Sequence, residues 1–245
     1  RPGLLDDSID LRMSFLASAP DGQVVGSLRK LVVEYRKWID DLERRLKDGS
    51  ADVSEELRPT ADRHVEQARM AAKRIESGVT LLENDPVVME AFRAANTAMQ
   101  LQRARQVWIR SGASGEVDDG SDQRWYPFQI AYILLNLRGL VDPEHPDRQT
   151  ADLLWFPTGG GKTEAYLGLI AFSILYRRLC DTDASGVAVI MRYTLRLLTI
   201  QQFERATMLM CSLETVRRSS SKLGERPFSI GLWVGSGGTP NSLDE

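Results

Sequence analysis

A glycine-rich run at residues 156–163 holds the residue types in this chain that could most directly do chemistry. It contains three consecutive glycines followed by Lys162 and Thr163. Because glycine lacks a Cβ atom, successive backbone N–H groups can turn toward an anion, and a following helix adds the positive end of its dipole. Lys162 could then reach the β and γ phosphates of a nucleotide, while the Thr163 hydroxyl could bind Mg²⁺. We therefore predict a site for ATP and Mg²⁺, with Lys162 catalytic, Thr163 as metal ligand, and the phosphates bound by Thr158, Gly159, Gly160, Gly161, Lys162 and Thr163.

This glycine loop departs from the strict phosphate-loop pattern G-x-x-x-x-G-K-[ST], because the first glycine of the pattern is replaced by Phe156. The flanking residues favour the functional interpretation. Residues 151–156 form an apolar run typical of a buried strand, and residues 164–172 have helical character. The alternative is an ordinary glycine-rich turn in which Lys162 is merely solvated.

Composition indicates a soluble globular protein. The chain has 245 residues, of which 42% are hydrophobic and 27% are charged. No apolar stretch reaches membrane-spanning length and no signal peptide begins the chain, so we expect a cytoplasmic location and no membrane partner. A net charge of −3 does not indicate nucleic acid by bulk electrostatics, so any basic track must be local. Because the chain does not begin with Met, we expect a piece of a longer protein.

The N-terminal half predicts helices. After a tail at residues 1–22, apolar residues recur at steps of three and four over residues 24–42, 65–82 and 88–99. Asp85 and Pro86 supply a helix N-cap and a first helical residue. We predict an antiparallel helical module over residues 23–110, either a packing module without chemistry or a binding surface for a partner.

The C-terminal half predicts a sheet. Residues 111–124 are rich in Gly, Ser and Asp and predict a flexible linker. Beyond the linker, strand-like runs at 151–156, 186–193 and 228–234 alternate with helical ones. That alternation is typical of an α/β fold with a parallel sheet over residues 125–245.

Three stretches carry a family resemblance: residues 125–129, 155–166 and 192–203. Together they resemble the first RecA-like lobe of a superfamily 2 helicase, and most nearly the large helicase subunits of the bacterial DISARM antiphage system. The resemblance implies a partial RecA-like parallel-sheet lobe. It also implies a nucleic-acid-dependent ATPase that acts as a DNA helicase or translocase in antiphage defence.

The resemblance also assigns roles to individual residues. Gln129 would read the adenine edge, and Tyr126 would stack on the base. Residues 193–201 resemble helicase motif Ia, with Tyr193 in place of its proline and the arginine one position late. The backbone of a nucleic acid, bound without sequence preference, would be contacted by Arg192, Thr194, Arg196, Gly237, Gly238 and Thr239.

The resemblance further implies what a complete enzyme needs. Superfamily 2 helicases use an Asp-Glu motif for Mg²⁺ and water, together with arginines from a second lobe. We find neither in these residues, so we expect this chain alone to bind nucleotide weakly and to hydrolyse it poorly. The helical module could contact another subunit of the defence system. Two alternatives stay open: a phosphate-loop ATPase that acts on a protein partner, and a scaffold with a degenerate nucleotide site.

Overall fold

The computed structural model describes residues 8–157, 159–193 and 196–233, with the side chains of residues 196–198 left out of the description. These residues contain seven α-helices. Short loops and single turns of 3₁₀-helix connect the helices. The helices are α1 Met13–Ser18, α2 Asp21–Lys47, α3 Arg58–Asn84, α4 Pro86–Arg110, α5 Pro127–Val141, α6 Lys162–Cys180 and α7 Arg196–Arg218.

The predicted helices of the N-terminal half are confirmed as α2, α3 and α4. The predicted cap before α4 is present, because the Asp85 side chain accepts hydrogen bonds from the backbone N–H groups of Val87 at 2.9 Å and Val88 at 3.1 Å. One position of the apolar stripe differs. Trp38 is 55% exposed and stacks on Tyr35, whereas its neighbour Ile39 is buried.

The predicted α/β fold with a RecA-like parallel sheet is wrong, because the described residues form an all-α fold. Within residues 8–157, 159–193 and 196–233 the single β-type pairing is an isolated bridge between Arg12 and Arg124. The three runs that predicted strands have no regular secondary structure and no ladder of backbone hydrogen bonds in their described residues.

The error has a physical reason. An apolar run forms a buried strand only if a neighbouring strand takes up its backbone N–H and C=O groups. Here the runs are solvent-facing: Trp155 is 87% exposed, Ile190 is 76% exposed and Trp233 is 98% exposed. The core is built instead from side chains of the helices, so these apolar residues contribute little to it.

One hydrophobic core joins helices from both predicted halves of the chain. In this core α3 packs against α5, and α4 packs against α6 and α7. The contact between α3 and α5 is close at Gly78, where a Cβ atom would overlap the backbone carbonyl of Leu134. The predicted domain boundaries stay predictions, although the two halves share apolar contacts along these helices.

The predicted linker at residues 111–124 is fastened to α1 and α4. The Trp108 indole donates to the carbonyl of Gly115 at 3.0 Å, and the Ser14 hydroxyl donates to the carbonyl of Ser121 at 2.7 Å. The backbone N–H of Met13 also donates to the carbonyl of Gln123 at 2.8 Å. As for membrane insertion, none of the helices in the described ranges combines the length and apolar character that a bilayer-crossing segment requires.

Candidate nucleotide-binding site

The glycine loop lies directly before α6, as the sequence predicted for a phosphate-binding turn. Gly159 and Gly161 have φ angles of 81° and 87°, in the left-handed region that favours glycine. A Cβ atom at Gly160 would lie 2.6 Å from the ring of Phe156, and one at Gly161 would lie 2.8 Å from the amide nitrogen of Gln129. The loop therefore needs glycine at these positions for two reasons, backbone conformation and close packing.

The N-terminus of α6 presents donors to this loop. Gly161 is the N-cap residue and has no side chain, so it leaves the first backbone N–H groups of the helix uncapped. Lys162 and Thr163 form the first turn. The Lys162 ammonium donates to the carbonyl of Phe156 and, at 3.4 Å, to that of Pro157, so it folds back over the loop. Thr158 lies outside the described residues.

Gln129 is bound to the loop by its side chain. It is 3% exposed, and its Oε1 accepts from the backbone N–H of Tyr126 at 2.8 Å. Its Nε2 donates to the carbonyl of Gly161, also at 2.8 Å. Donor and acceptor are thus both used by the backbone, and the amide joins the start of α5 to the loop. The predicted adenine contact stays a prediction, and it would use the second lone pair of Oε1 and the second hydrogen of Nε2.

An aromatic surface lies beside the loop. Phe128 stacks on Phe156 with ring centroids 4.0 Å apart and planes 15° apart, and it also lies parallel to Tyr126 at 6.2 Å. Tyr126 is 53% exposed. Its ring is therefore open to solvent and close to Gly161, and the predicted stacking of Tyr126 on a base stays a prediction.

An arginine of the helical module fixes the segment that leads into the loop. Arg74 of α3 forms two hydrogen bonds with the Asp152 carboxylate, at 2.6 and 2.8 Å, and a third with Asp147 at 2.8 Å. Each of these side chains is less than one-fifth exposed. Hydrogen bonding to the Asp152 carboxylate raises the pKa of Arg74, so the group stays charged. Sequence reasoning missed this cluster, because its members are far apart in the chain.

Glu164 carries a second charge cluster next to the loop. Its Oε1 accepts from Arg205 of α7 at 2.6 Å and from Arg103 of α4 at 3.2 Å, and its side chain is 13% exposed. Arg103 also donates to the side chain of Gln106 at 2.9 Å. Sequence reasoning did not single out these residues. The available signal was an acidic residue in the first turn of a helix that should receive phosphate.

Of the predicted nucleic-acid-binding residues, the structure describes Arg192 and the backbone of Arg196. Arg192 is exposed and lies in the irregular segment before α7. Arg196 begins α7, and its side chain is outside the described part. Next to Arg192, burial raises the pKa of Tyr193, with Arg205 acting in the opposite direction. The remaining predicted contacts lie outside the described residues: Thr194, Gly237, Gly238 and Thr239.

These features define a helical protein with a glycine loop at the N-terminus of a largely buried helix, flanked by two charge clusters. Three or more metal-binding side chains of the His, Cys, Asp and Glu types are nowhere grouped in the described ranges. No protein-family model matches the chain. It is 38% identical over 234 residues, 91% of its length, to DISARM protein DrmA of Bacillus paralicheniformis (strain ATCC 9945a / NCIMB 11709 / CD-2). The matched region spans 20% of that relative's length, so the chain is DrmA-like in sequence across about a fifth of such a protein.

Proposed function

We propose that this chain is the nucleotide-binding part of a DrmA-like protein of a DISARM antiphage defence system. The observation that carries the proposal is the glycine loop before α6, with Gly159 and Gly161 in left-handed conformation and Lys162 and Thr163 in the first helical turn. Similarity to DISARM protein DrmA over 91% of the chain supports the placement in defence.

The residues present fit ATP and Mg²⁺. Glycines 159–161 carry no Cβ atoms, and the uncapped N–H groups of α6 are free to donate to an anion. Lys162 would exchange its two carbonyl partners for phosphate oxygens, and the Thr163 hydroxyl would bind the metal. Bound Mg²⁺ would supply charge neutralisation at the phosphates. Tyr126 would cover the base from its exposed side.

For the whole protein we propose a nucleic-acid-dependent ATPase that acts as a helicase or translocase on DNA. Arg192 and Arg196 would contact backbone phosphates, which gives binding without sequence preference. Arg192 is exposed and precedes Tyr193 directly, so its guanidinium is accessible to a ligand in solution.

Nucleotide binding is tested by thermal unfolding with increasing Mg·ATP and Mg·ADP. A ligand at a hundred times its Kd stabilises a protein by about 2.7 kcal/mol, which raises the Tm of a chain of this size by roughly 5–11 °C. Lys162→Ala should abolish the shift. Lys222→Ala is the matched control, because it removes an exposed lysine that pairs with Glu90 away from the loop. An unchanged shift in Lys162→Ala would place the nucleotide elsewhere.

DNA binding is tested by fluorescence anisotropy of single-stranded DNA at several salt concentrations. Replacing Arg192 and Arg196 together by Ala should flatten the plot of log affinity against log salt by about 1.4, since each lost phosphate contact contributes about 0.7. The control replaces the exposed Arg45 and Arg63. Nucleotide binding without DNA binding would favour an ATPase that acts on a protein partner, and neither would favour a scaffold.

A further inference from the structure

Glu164 occupies a position where a carboxylate opposes the proposed ligand. It follows Thr163 in the first turn of α6, where the helix dipole and uncapped N–H groups attract anions. Its second oxygen, Oε2, faces the loop, because a Cβ atom on Gly161 would lie 3.5 Å from it. Phosphates bound in the loop would therefore repel Glu164 unless nearby positive charge compensates it.

That positive charge comes from two other helices. Arg103 of α4 and Arg205 of α7 both donate to Oε1 of Glu164. A single oxygen of Glu164 in α6 thus joins α4 and α7. Phosphates bound in the loop would attract both arginines and weaken their hydrogen bonds to Glu164. Because Arg103 belongs to α4 and Arg205 to α7, both helices would then shift relative to the loop.

The contact between α4 and α7 contains buried polar atoms that lack a hydrogen-bond partner within the described part of the chain. Among the described residues, the buried side-chain polar atoms that lack a hydrogen-bond partner all lie on these two helices: both amide atoms of Gln102, Oε1 of Gln202 and Nε of Arg205. A cleft of about 380 Å³ lies beside the contact between the two helices, lined in part by Gln106 and Arg110. Leu209 and Leu213 of α7 pack in the hydrophobic core and Arg105 donates to Ser212, so the part of the contact that can rearrange is the polar part around the unpaired atoms.

We propose that Glu164 is a positioning residue that couples occupancy of the glycine loop to the placement of α4 and α7. The inference rests on the proposed nucleotide site and adds a route by which that site communicates with the DNA-binding residues. The coupling runs through two separate arms, Arg103 to α4 and Arg205 to α7, so each arm can be cut by itself.

The test is hydrogen exchange of backbone amides, followed by mass spectrometry, with and without Mg·ADP. In the unaltered chain, Mg·ADP should change exchange in both α4 and α7, by about fivefold or more in rate, the lower end of usual couplings between sites. Glu164→Gln keeps the shape but removes the charge. This variant should bind Mg·ADP at least as tightly as the unaltered chain does, because it lacks a negative group near the phosphates. Mg·ADP should nevertheless produce no change in the exchange of α4 and α7 in this variant.

Two further variants separate the arms and guard against a folding defect in the first. Arg205→Gln should silence the response of α7 and preserve that of α4, whereas Arg103→Gln should do the reverse. Glu76→Gln is the matched control, since it removes another carboxylate that joins two helices, here α2 and α3 through Arg36. It should behave like the unaltered chain.

The outcomes distinguish this inference from the proposed function. If Mg·ADP produces no thermal shift in the unaltered chain, the nucleotide site itself fails and the coupling fails with it. If Mg·ADP binds and Glu164→Gln transmits its effect to α7 as before, the nucleotide site stands and the coupling is refuted. Loss of Mg·ADP binding in Glu164→Gln would also refute it, because Glu164 would then be part of the binding site.

Discussion

Replacement of Gln129 by Leu tests whether the Gln129 side chain holds the glycine loop in place. Leu has a similar volume, but it removes one bond to the N–H of Tyr126 and one to the carbonyl of Gly161, each 2.8 Å long. A buried polar group that loses its partner costs about 1–3 kcal/mol. Because Tyr126 is half exposed and can rehydrate, we expect a total loss of about 2–3 kcal/mol.

Thermal unfolding measured by circular dichroism provides the assay. A loss of that size lowers the Tm of a chain of this length by about 4–12 °C. Gln67→Leu is the matched control, because Gln67 is an exposed residue of α3 and its replacement should change stability by no more than about 0.5 kcal/mol. If Gln129→Leu lowers the Tm no more than Gln67→Leu does, the amide does not hold the loop.

Gln129→Glu adds a dependence on pH with a known sign. The carboxylate can still accept from Tyr126, but its other oxygen faces the carbonyl of Gly161, so burial and repulsion should raise the pKa of the new group. A protonated Glu can donate to that carbonyl. Its favourable contribution is therefore present below the unfolded-state pKa of about 4.3 and is lost as the pH rises through the folded-state pKa. The Tm deficit relative to the unaltered chain, compared at equal pH, should shrink on acidification, and a constant deficit would contradict the assigned bond.

Three further perturbations test the packing around the site. Arg74→Ala removes three charge-assisted bonds and leaves Asp152 unpaired, so chemical denaturation should show a loss of about 2–4 kcal/mol; a loss below about 0.5 kcal/mol would contradict it. Gly78→Ala should destabilise by about 1–3 kcal/mol despite the better helix propensity of Ala, because its Cβ atom would overlap the backbone of Leu134, and a stabilised variant would show that α3 and α5 are farther apart. Hydrogen bonding from an arginine lowers the pKa of Glu214, so its contribution to stability should be present above about pH 4.5 and fade as the pH falls. The Tm difference between Glu214→Gln and the unaltered chain should accordingly narrow below that pH, and a difference independent of pH would argue against the pair.

Local order in this chain was predictable from its sequence. Apolar residues spaced three and four apart predicted α2, α3 and α4, and Asp85 with Pro86 predicted where α4 begins. The spacing of glycines before Lys162 predicted a turn that only glycine can form, and Gly159 and Gly161 adopt it. These predictions succeeded because helix periodicity, caps and left-handed turns depend on residues within a few positions of each other.

The sequence predicted a sheet that the described residues do not form, because a strand depends on a partner strand that can lie anywhere in the chain. The run around Trp155 is as apolar as a buried strand, yet no described segment pairs with it and the residue faces solvent. Hydrophobicity alone could not distinguish an exposed irregular segment from a buried strand, since the same apolar residues can occur in either.

The sequence by itself determined that α2, α3 and α4 form, that α4 begins at Pro86, and that a glycine loop precedes Lys162, whereas α1 lies within the predicted N-terminal tail. Only the tertiary structure decided that Gln129 binds the loop and that Glu164 meets arginines 61 and 41 residues away in the chain. Helix packing creates these contacts by bringing α4, α5, α6 and α7 together around one core. Long-range charge clusters leave no periodic trace in a sequence, because their spacing along the chain is set by the connections between helices and not by the geometry of any one helix.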